Sequence, residues 1–474
     1  MRLRKNKIFN NLPKSFKNNI DKLLKEALSY DGKKIIVLDD DPTGIQTVHD
    51  VPVYTSYDLK DIRDIFLNSS KLTFILTNTR AICINETKRI NEVICRRIIE
   101  VSREIGIDFE IISRSDSTLR GHYPLETDVL GTTIEQKSDK KVDGEVLTFS
   151  FFEAGRYTIG DIHYLENADS LIPLSETEFA KDSIFGYNSS DLRQYIIEKT
   201  NGKYRDNDIV SISIKDIRIG GAKRVEEILT TVVGRKKIIV NSANYNDLKV
   251  FTLGLLMAEK KGKNFIFRSA ASFVKIRAGI KDKNHLKKTD IEKLTNEIKK
   301  GFIIVGSYVK KTTTQLNKLL RLKSIYPIEF NVQKILKKSS LKNEIVRCQK
   351  EINIGMRKSL TVLYTSRKVL NFRDHQLSGM KISNLISSSL VDIVKEVKYK
   401  PDFIIVKGGI TSFDILVKAL GFKKGLVLGQ IMEGVPILVL GKETKFPGIP
   451  YIIFPGNVGY EDSLKRIIEV LVTS

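Results

Sequence analysis

Tryptophan is absent from the 474 residues, and cysteine (3), methionine (5) and histidine (5) are scarce. Cys83, Cys95 and Cys348 are odd in number, widely spaced and form no C-x-x-C pair, which excludes a disulfide framework and a cysteine-based zinc site. The scattered histidines give no H-E-x-x-H signature, so no metal-ligating residue is assigned. A reducing, cytoplasmic compartment is the resulting expectation. No window approaches the ~18 consecutive apolar residues of a membrane span, and no membrane partner is expected. Three fingerprints are also missing. Without G-x-x-x-x-G-K-S/T, G-x-G-x-x-G or G-x-S-x-G, a P-loop NTPase, a Rossmann dehydrogenase and an elbow-type hydrolase lose their main support.

What is present in excess is positive charge: 79 Lys and Arg against 56 Asp and Glu, a net charge of +23. A basic surface of this size admits an alternative, a nucleic-acid-binding protein. The lysines are spread over the whole chain, however, and no aromatic signature of an RNA-recognition sheet occurs. A generally basic solvated surface is the more economical account, with no nucleic-acid partner, and it would attract an anionic substrate. The N-terminus is basic but has no apolar h-region, so it does not read as a secretory signal. Phe16, Ile20, Leu23, Leu24, Ala27 and Leu28 fall at helical spacing and predict a short helix within an N-terminal extension, residues 1–30.

Length alone favours two domains. Strand-like runs at Lys34–Leu38, Leu72–Leu76, Phe109–Ile112, Glu145–Phe151, Ile209–Ile214, Lys237–Asn241 and Asn264–Phe267 alternate with helical patterns. One such helix is Glu86–Gly106, with Ile90, Val93, Ile94, Ile98 and Val101 in register. The lysine-dense stretch Lys275–Gly301 reads as a connection, after which the alternation restarts. The expected fold is α/β in two domains, residues 31–280 and 281–474, each a mainly parallel sheet flanked by helices.

In such sheets ligands bind beyond the carboxyl ends of the strands. Three N-terminal turns carry polar clusters there: "LDDDPTG", "LTNTRA" and "ISRSDSTLRGHYPLE". Arg114, Asp116, Ser117, Thr118, Arg120 and His122 fall within nine positions, and Arg80 adds a cation. Guanidinium forks match carboxylate or phosphate oxygens, while aspartates accept hydrogen bonds, and take protons, from hydroxyls. A strand-end Asp also caps helices, and Arg114 with Asp116 would make an ordinary ion pair. Agreement among three turns on one sheet favours a site. The C-terminal half ends its strands with glycine and hydroxyls instead: "IIVGSYVKKTTTQ", "IIVKGGITSFDIL" and "IIFPGNVGYEDSL". Glycines let a backbone approach phosphate closely. Gly408, Gly409, Thr411 and Ser412 fit that use, Lys407 adds charge, and Gly456–Gly459 taken singly would be a plain turn. One half suited to a small polyhydroxy anion and one suited to a phosphate-rich ligand together imply phosphoryl transfer from a nucleotide.

These residues resemble the four-carbon acid sugar kinase family. Asp40, Asp41, Thr43 and Gly44 stand in its D-D-x-T-G turn, Asp116–Gly121 is its D-S-T-L-R-G segment, Gly408–Ser412 its G-G-x-T-S turn and Gly456–Gly459 its G-N-x-G turn. Gly306–Ser307 matches its first C-terminal G-S. The resemblance spans nearly the whole chain and implies an ATP- and Mg²⁺-using kinase that acts on threonate, erythronate or a 3-oxo-tetronate. It implies that the first domain holds the sugar acid and the second ATP, and that the two close over the substrates. Carried over by motif, Asp40 or Asp41, Arg80 and Arg114–Ser117 (Arg114, Ser115 and Ser117 among them) are the substrate contacts; Arg120 and His122 are read as joining them, and Asp41 and Asp116 are the catalytic candidates. Ser307, Gly408, Gly409, Thr411, Ser412, Gly456, Asn457, Val458 and Gly459 would meet the nucleotide. Arg114 stands where many members have lysine and His122 where others have asparagine. With His49, these differences bear on the particular substrate. A homodimer is the one macromolecular partnership expected.

Overall fold

The computed structural model describes residues 3–17, 19–295, 298–367 and 379–472. The chain divides into two compact units, Met1–Thr47 with Ser56–Asp282, and Val48–Thr55 with Lys283–Ser474. In the first unit the parallel strands lie in the order Ile209–Ile212, Lys236–Val240, Gly144–Thr148, Phe265–Ser269, Phe109–Arg114, Lys34–Asp39, Leu72–Leu76. All were legible as strand-like runs, because a parallel sheet covered on both faces demands nearly unbroken Val, Ile and Leu. Ile35, Ile36 and Val37 are fully buried. Each such side chain contributes about 1.5–3 kcal/mol, which offsets the cost of delivering three aspartates to one strand end.

Helix Ile84–Ile105 lays Ile90, Ile94, Ile98 and Val101 on the core and stops at Gly106, whose φ of +76° makes a left-handed cap. Val93 is half-buried, and Cys95 and Ile99 complete the buried face. The N-terminal extension forms a helix over Ile20–Ser29, with Ile20 and Leu24 buried and Leu23 exposed. It belongs to the first unit: Asp21 meets Lys249 Nζ at 2.7 Å, and Arg218 donates to the Pro13 carbonyl at 2.7 Å. A small antiparallel sheet, absent from the sequence reading, joins Leu3–Arg4, Ser170–Pro173, Ile162–Asn167 and Arg156–Ile159.

The second unit is mixed. Its parallel strands Pro450–Phe454, Phe403–Lys407, Gly301–Val305, Leu360–Thr365 and Ile325–Phe330 follow that spatial order. Antiparallel strands Val435–Leu440, Lys424–Met432 and Val51–Tyr54 extend the sheet beyond Pro450–Phe454. The sequence places Val48–Thr55 inside the first domain; the Val51–Tyr54 ladder moves it to the second unit. Of the expected connection, Ala271–Arg277 is a helix of the first unit and Lys288–Thr295 a helix of the second, with residues 296 and 297 outside the described residues.

Candidate functional site

Parallel register brings the ends of Lys34–Asp39, Phe109–Arg114 and Phe265–Ser269 side by side: Asp39 lies opposite Arg114, and Arg114 opposite Ser269. The three aspartates then separate. Asp39 is fully buried, and its Oδ1 lies 3.2 Å from Arg114 Nη1, while its Oδ2 has no hydrogen-bond partner. Burial pushes this carboxyl up to about 7 against the pull of Arg114, with Asp40 and Asp41 adding to the rise. Asp40 is buried too, but Arg80 Nη2 meets its Oδ1 at 2.5 Å and Ser115 Oγ donates to its Oδ2. Burial would raise Asp40; the charges of Arg80 and Arg268 and the Ser115 hydroxyl outweigh it and hold the carboxyl below the ordinary range. Asp41 is half-buried, with Oδ2 3.2 Å from Arg80 Nη1 and Oδ1 accepting from the Thr43 amide at 2.8 Å.

Arg80 is the hub. It faces Asp40, Asp41 and, at 3.9 Å, Asp116. Burial works against its charge, but three carboxylates keep it firmly protonated. Asp116 also accepts from Arg120 Nε at 2.6 Å and from the Thr118 hydroxyl. Burial raises the Asp116 carboxyl, yet Arg80 and Arg120 outweigh it and hold it far below the usual range. The Arg114–Asp116 pair considered from the sequence does not form; Arg114 turns to Asp39 and Asp116 to Arg80 and Arg120.

The Ser115–Gly121 loop is held by its carbonyls. His163 Nε2 donates to Ser117, the Tyr187 hydroxyl to Thr118, the Tyr195 hydroxyl to Leu119 and the Ser115 hydroxyl to Arg120, at 2.8, 2.9, 2.9 and 3.1 Å. Burial keeps His163 neutral, down to about 4. Leu119 sits at φ +67°, a strained left-handed conformation for a residue with a Cβ. Gly121 has φ +122°, and a Cβ there would stand 2.6 Å from Ser115 Oγ and 2.7 Å from Arg268 Nη2. Gly44 is equally constrained, since its Cβ would fall 1.7 Å from Asp39 Oδ2. Ser117 is buried, and His122 packs edge-on against Phe185 and donates from Nε2 to the Ile82 carbonyl at 3.1 Å.

Sequence reasoning missed Arg268, Glu126, His163, Tyr187 and Tyr195. Arg268 is buried, and its Nη1 meets Glu126 Oε2 at 2.5 Å and Ser113 Oγ at 3.1 Å. A cation inside the apolar run "FIFRS", aimed at the end of its strand, was the available signal.

In the second unit three turns gather at the ends of Gly301–Val305, Phe403–Lys407 and Pro450–Phe454. The Gly306 and Ser307 amides both donate to the Lys407 carbonyl, at 3.2 and 3.3 Å, and the Gly408 amide donates to Phe454 at 2.9 Å. Gly306 has no room for a side chain, its Cβ falling 2.3 Å from Thr411 Oγ1. A Cβ on Gly456 would stand 2.9 Å from Ser307 Oγ. The Ser412 hydroxyl is turned back onto the Val406 and Gly408 carbonyls, at 2.9 and 2.8 Å. The last turn is gripped by its carbonyls: Thr312 donates to Gly456 (3.1 Å), Lys311 to Asn457 (3.1 Å), and Gln315 to Val458 (3.1 Å) and Tyr460 (2.7 Å). Arg367 Nη1 donates to Ser307 at 2.7 Å. Gly409 opens a short helix, Gly409–Asp414, that continues into a widened turn closed by Leu420 N–H to Ile415. Among the described residues, no group of three or more His, Cys, Asp or Glu is disposed to hold a metal ion, and no helix is long and apolar enough to cross a membrane.

Residues 35–277 match a sugar-binding N-terminal domain family and residues 302–464 a nucleotide-binding C-terminal domain family. Two solved structures share the fold. A Haemophilus influenzae protein of a family of unknown function aligns with TM-score 0.63 and 18% identity over 92% of this chain and 100% of its own. A protein described as a putative tRNA synthase from Salmonella typhimurium LT2 aligns with TM-score 0.65 and 14% identity over 91% and 98%. No curated protein matches significantly. The two domain matches, sugar-binding before nucleotide-binding, make the chain a member of the four-carbon acid sugar kinase family.

Proposed function

We propose that the protein is an ATP-dependent kinase that phosphorylates a hydroxyl of a four-carbon sugar acid of the threonate, erythronate or 3-oxo-tetronate type. The observation that carries the proposal is the Arg80 hub, a guanidinium shared by Asp40, Asp41 and Asp116 in the unit that matches a sugar-binding domain. The substrate carboxylate meets Arg80, with Arg120 beside it, Arg114 and Ser117 beneath, and Ser115 and His122 fixing the loop. Asp41 is the more accessible of the candidate carboxylates (22% against 12% for Asp116 and 2% for Asp40) and takes the hydroxyl proton. Asp116, held ionised by two arginines, orients that hydroxyl. The hydroxyl oxygen bonds to the γ-phosphorus, the bond from that phosphorus to the bridging oxygen of ADP breaks, and the proton passes to Asp41.

On the nucleotide side, the turns at Ser307, at Gly408–Ser412 and at Gly456–Gly459 receive the phosphates. Mg²⁺ would be held mainly by the ATP phosphates and waters and would supply neutralisation of charge on the polyphosphate. Catalysis is then mainly positioning and charge stabilisation. ADP release from Mg-ATP across both enantiomers of threonate and erythronate and their oxidised forms tests the proposal. Turnover with one member is expected. Silence with ATP still binding removes the four-carbon substrate class, and silence without ATP binding removes the kinase.

A further inference from the structure

Lys407 ends the Phe403–Lys407 strand wholly buried, and it lacks the partner such a residue normally has. Lys237, equally buried, is paired with Glu145. The Lys407 Nζ instead donates to the Pro455 carbonyl at 2.9 Å and lies 3.6 Å from the centre of the Phe454 ring, with no carboxylate in contact among the described residues. A buried ammonium without a counter-ion is costly, and an apolar side chain would fill the same space without that cost. The position is also a junction. The Lys407 carbonyl holds the Gly306 and Ser307 amides, the next residue begins the Gly408–Gly409 turn at φ +119°, and the side chain holds Pro455. One residue therefore ties together all three turns.

We propose that Lys407 is a positioning residue for the nucleotide phosphates, fixing the three turns and supplying from beneath them a buried positive charge that the polyphosphate completes. This rests on the nucleotide-binding role given to the second unit. The charged groups on the elements around it leave that charge uncompensated. Lys311 is a second cation, occupied by the Asn457 carbonyl, and Arg367 is a third, on the Ser307 carbonyl. Asp414 is engaged by Lys418 at 2.6 Å and by Ser387. Burial, and then Lys311, bring the Lys407 ammonium down to about 7. The free protein is therefore largely neutral there above that pH, and an arriving anion raises the affinity for the proton.

Calorimetric titration of the full chain with ADP, AMP and adenosine at pH 8, in two buffers of different ionisation enthalpy, tests this. Wild type is expected to take up a fraction of a proton with ADP, and its affinity is expected to fall from pH 7 to pH 9. Lys407→Met should abolish the uptake and weaken ADP about 10-fold, ~1.4 kcal/mol, with progressively smaller losses for AMP and adenosine. ADP binding to wild type without proton uptake overturns the inference, and so does an equal loss for ADP and adenosine in the variant. If Lys407→Met does not fold, the wild-type uptake decides alone. Absence of any ADP binding to wild type is a different result, because it removes the nucleotide role itself.

Discussion

The two candidate regions occupy the same place in their sheets and are built from opposite materials. In the first unit the strand ends present charged side chains: Arg80 among three carboxylates, Arg120 on Asp116, Arg268 on Glu126. In the second they present backbone, with Gly306, Gly408 and Gly456 in positions where a Cβ would collide or the conformation is left-handed, and with Lys407 as the one wholly buried cation among the described residues of that unit. Both share one device: side chains from neighbouring segments take the loop's carbonyls, as His163, Tyr187 and Tyr195 do for Ser117–Leu119 and Thr312, Lys311 and Gln315 do for Gly456–Tyr460. A small acid with hydroxyls needs matched donors, acceptors and charge at fixed points, which only side chains provide. A phosphate chain needs close approach, which side chains obstruct.

Substitutions can break that contrast at either end. The largest effect is expected from Asp41→Asn, which should lower kcat about 10²–10⁴-fold while leaving ADP affinity unchanged. Parallel kinetics of Asp116→Asn tell the proton acceptor from the orienting carboxylate, and near-normal turnover in Asp41→Asn would assign the proton to Asp116. Arg80→Met leaves Asp40 buried without its main counter-ion and should cost about 3–5 kcal/mol of stability, read as a lower urea midpoint. An unchanged midpoint would mean the hub serves ligand alone.

Gly306→Ala forces a Cβ against Thr411 and should cost about 1–3 kcal/mol by overpacking. Its signature is weaker ADP binding with sugar-acid binding intact, checked by separate titrations. The smallest effect concerns Asp39. Its folded carboxyl titrates near 7, above the ordinary 3.8, so the folded state holds the extra proton between those values. Stability contributed by this group should decline as pH rises from about 4 to about 7 and stay level above. Urea midpoints of wild type and Asp39→Asn at pH 5 and pH 8 should converge or cross in the variant's favour; a constant gap would rule the titration out.

Much of this was readable beforehand. The parallel strands of the first unit stood out because burial on both faces writes continuous apolar runs, and the motif turns stood out because polar and glycine clusters interrupt them. The small antiparallel sheet and the return of Val51–Tyr54 to the second unit were not readable, since pairing partners distant in sequence leave no local mark. Nor were the partners of the charges: Arg114, two residues before Asp116 in sequence, pairs with Asp39 in space, because its strand ends at Arg114 and parallel register sets Asp39 beside it, while Asp116 lies in the loop that follows.

The sequence by itself determined the α/β class and which strand-end turns gather polar side chains or glycines, because hydrophobic periodicity and residue type act locally. Only the tertiary structure decided the surroundings of each of Asp39, Asp40 and Asp41. One carboxylate is buried against Arg114, one against Arg80 and Ser115, and one is left half-open beside Arg80. Burial and the distance to a counter-charge set a carboxylate's protonation and reach, and neither exists until the strands are laid side by side.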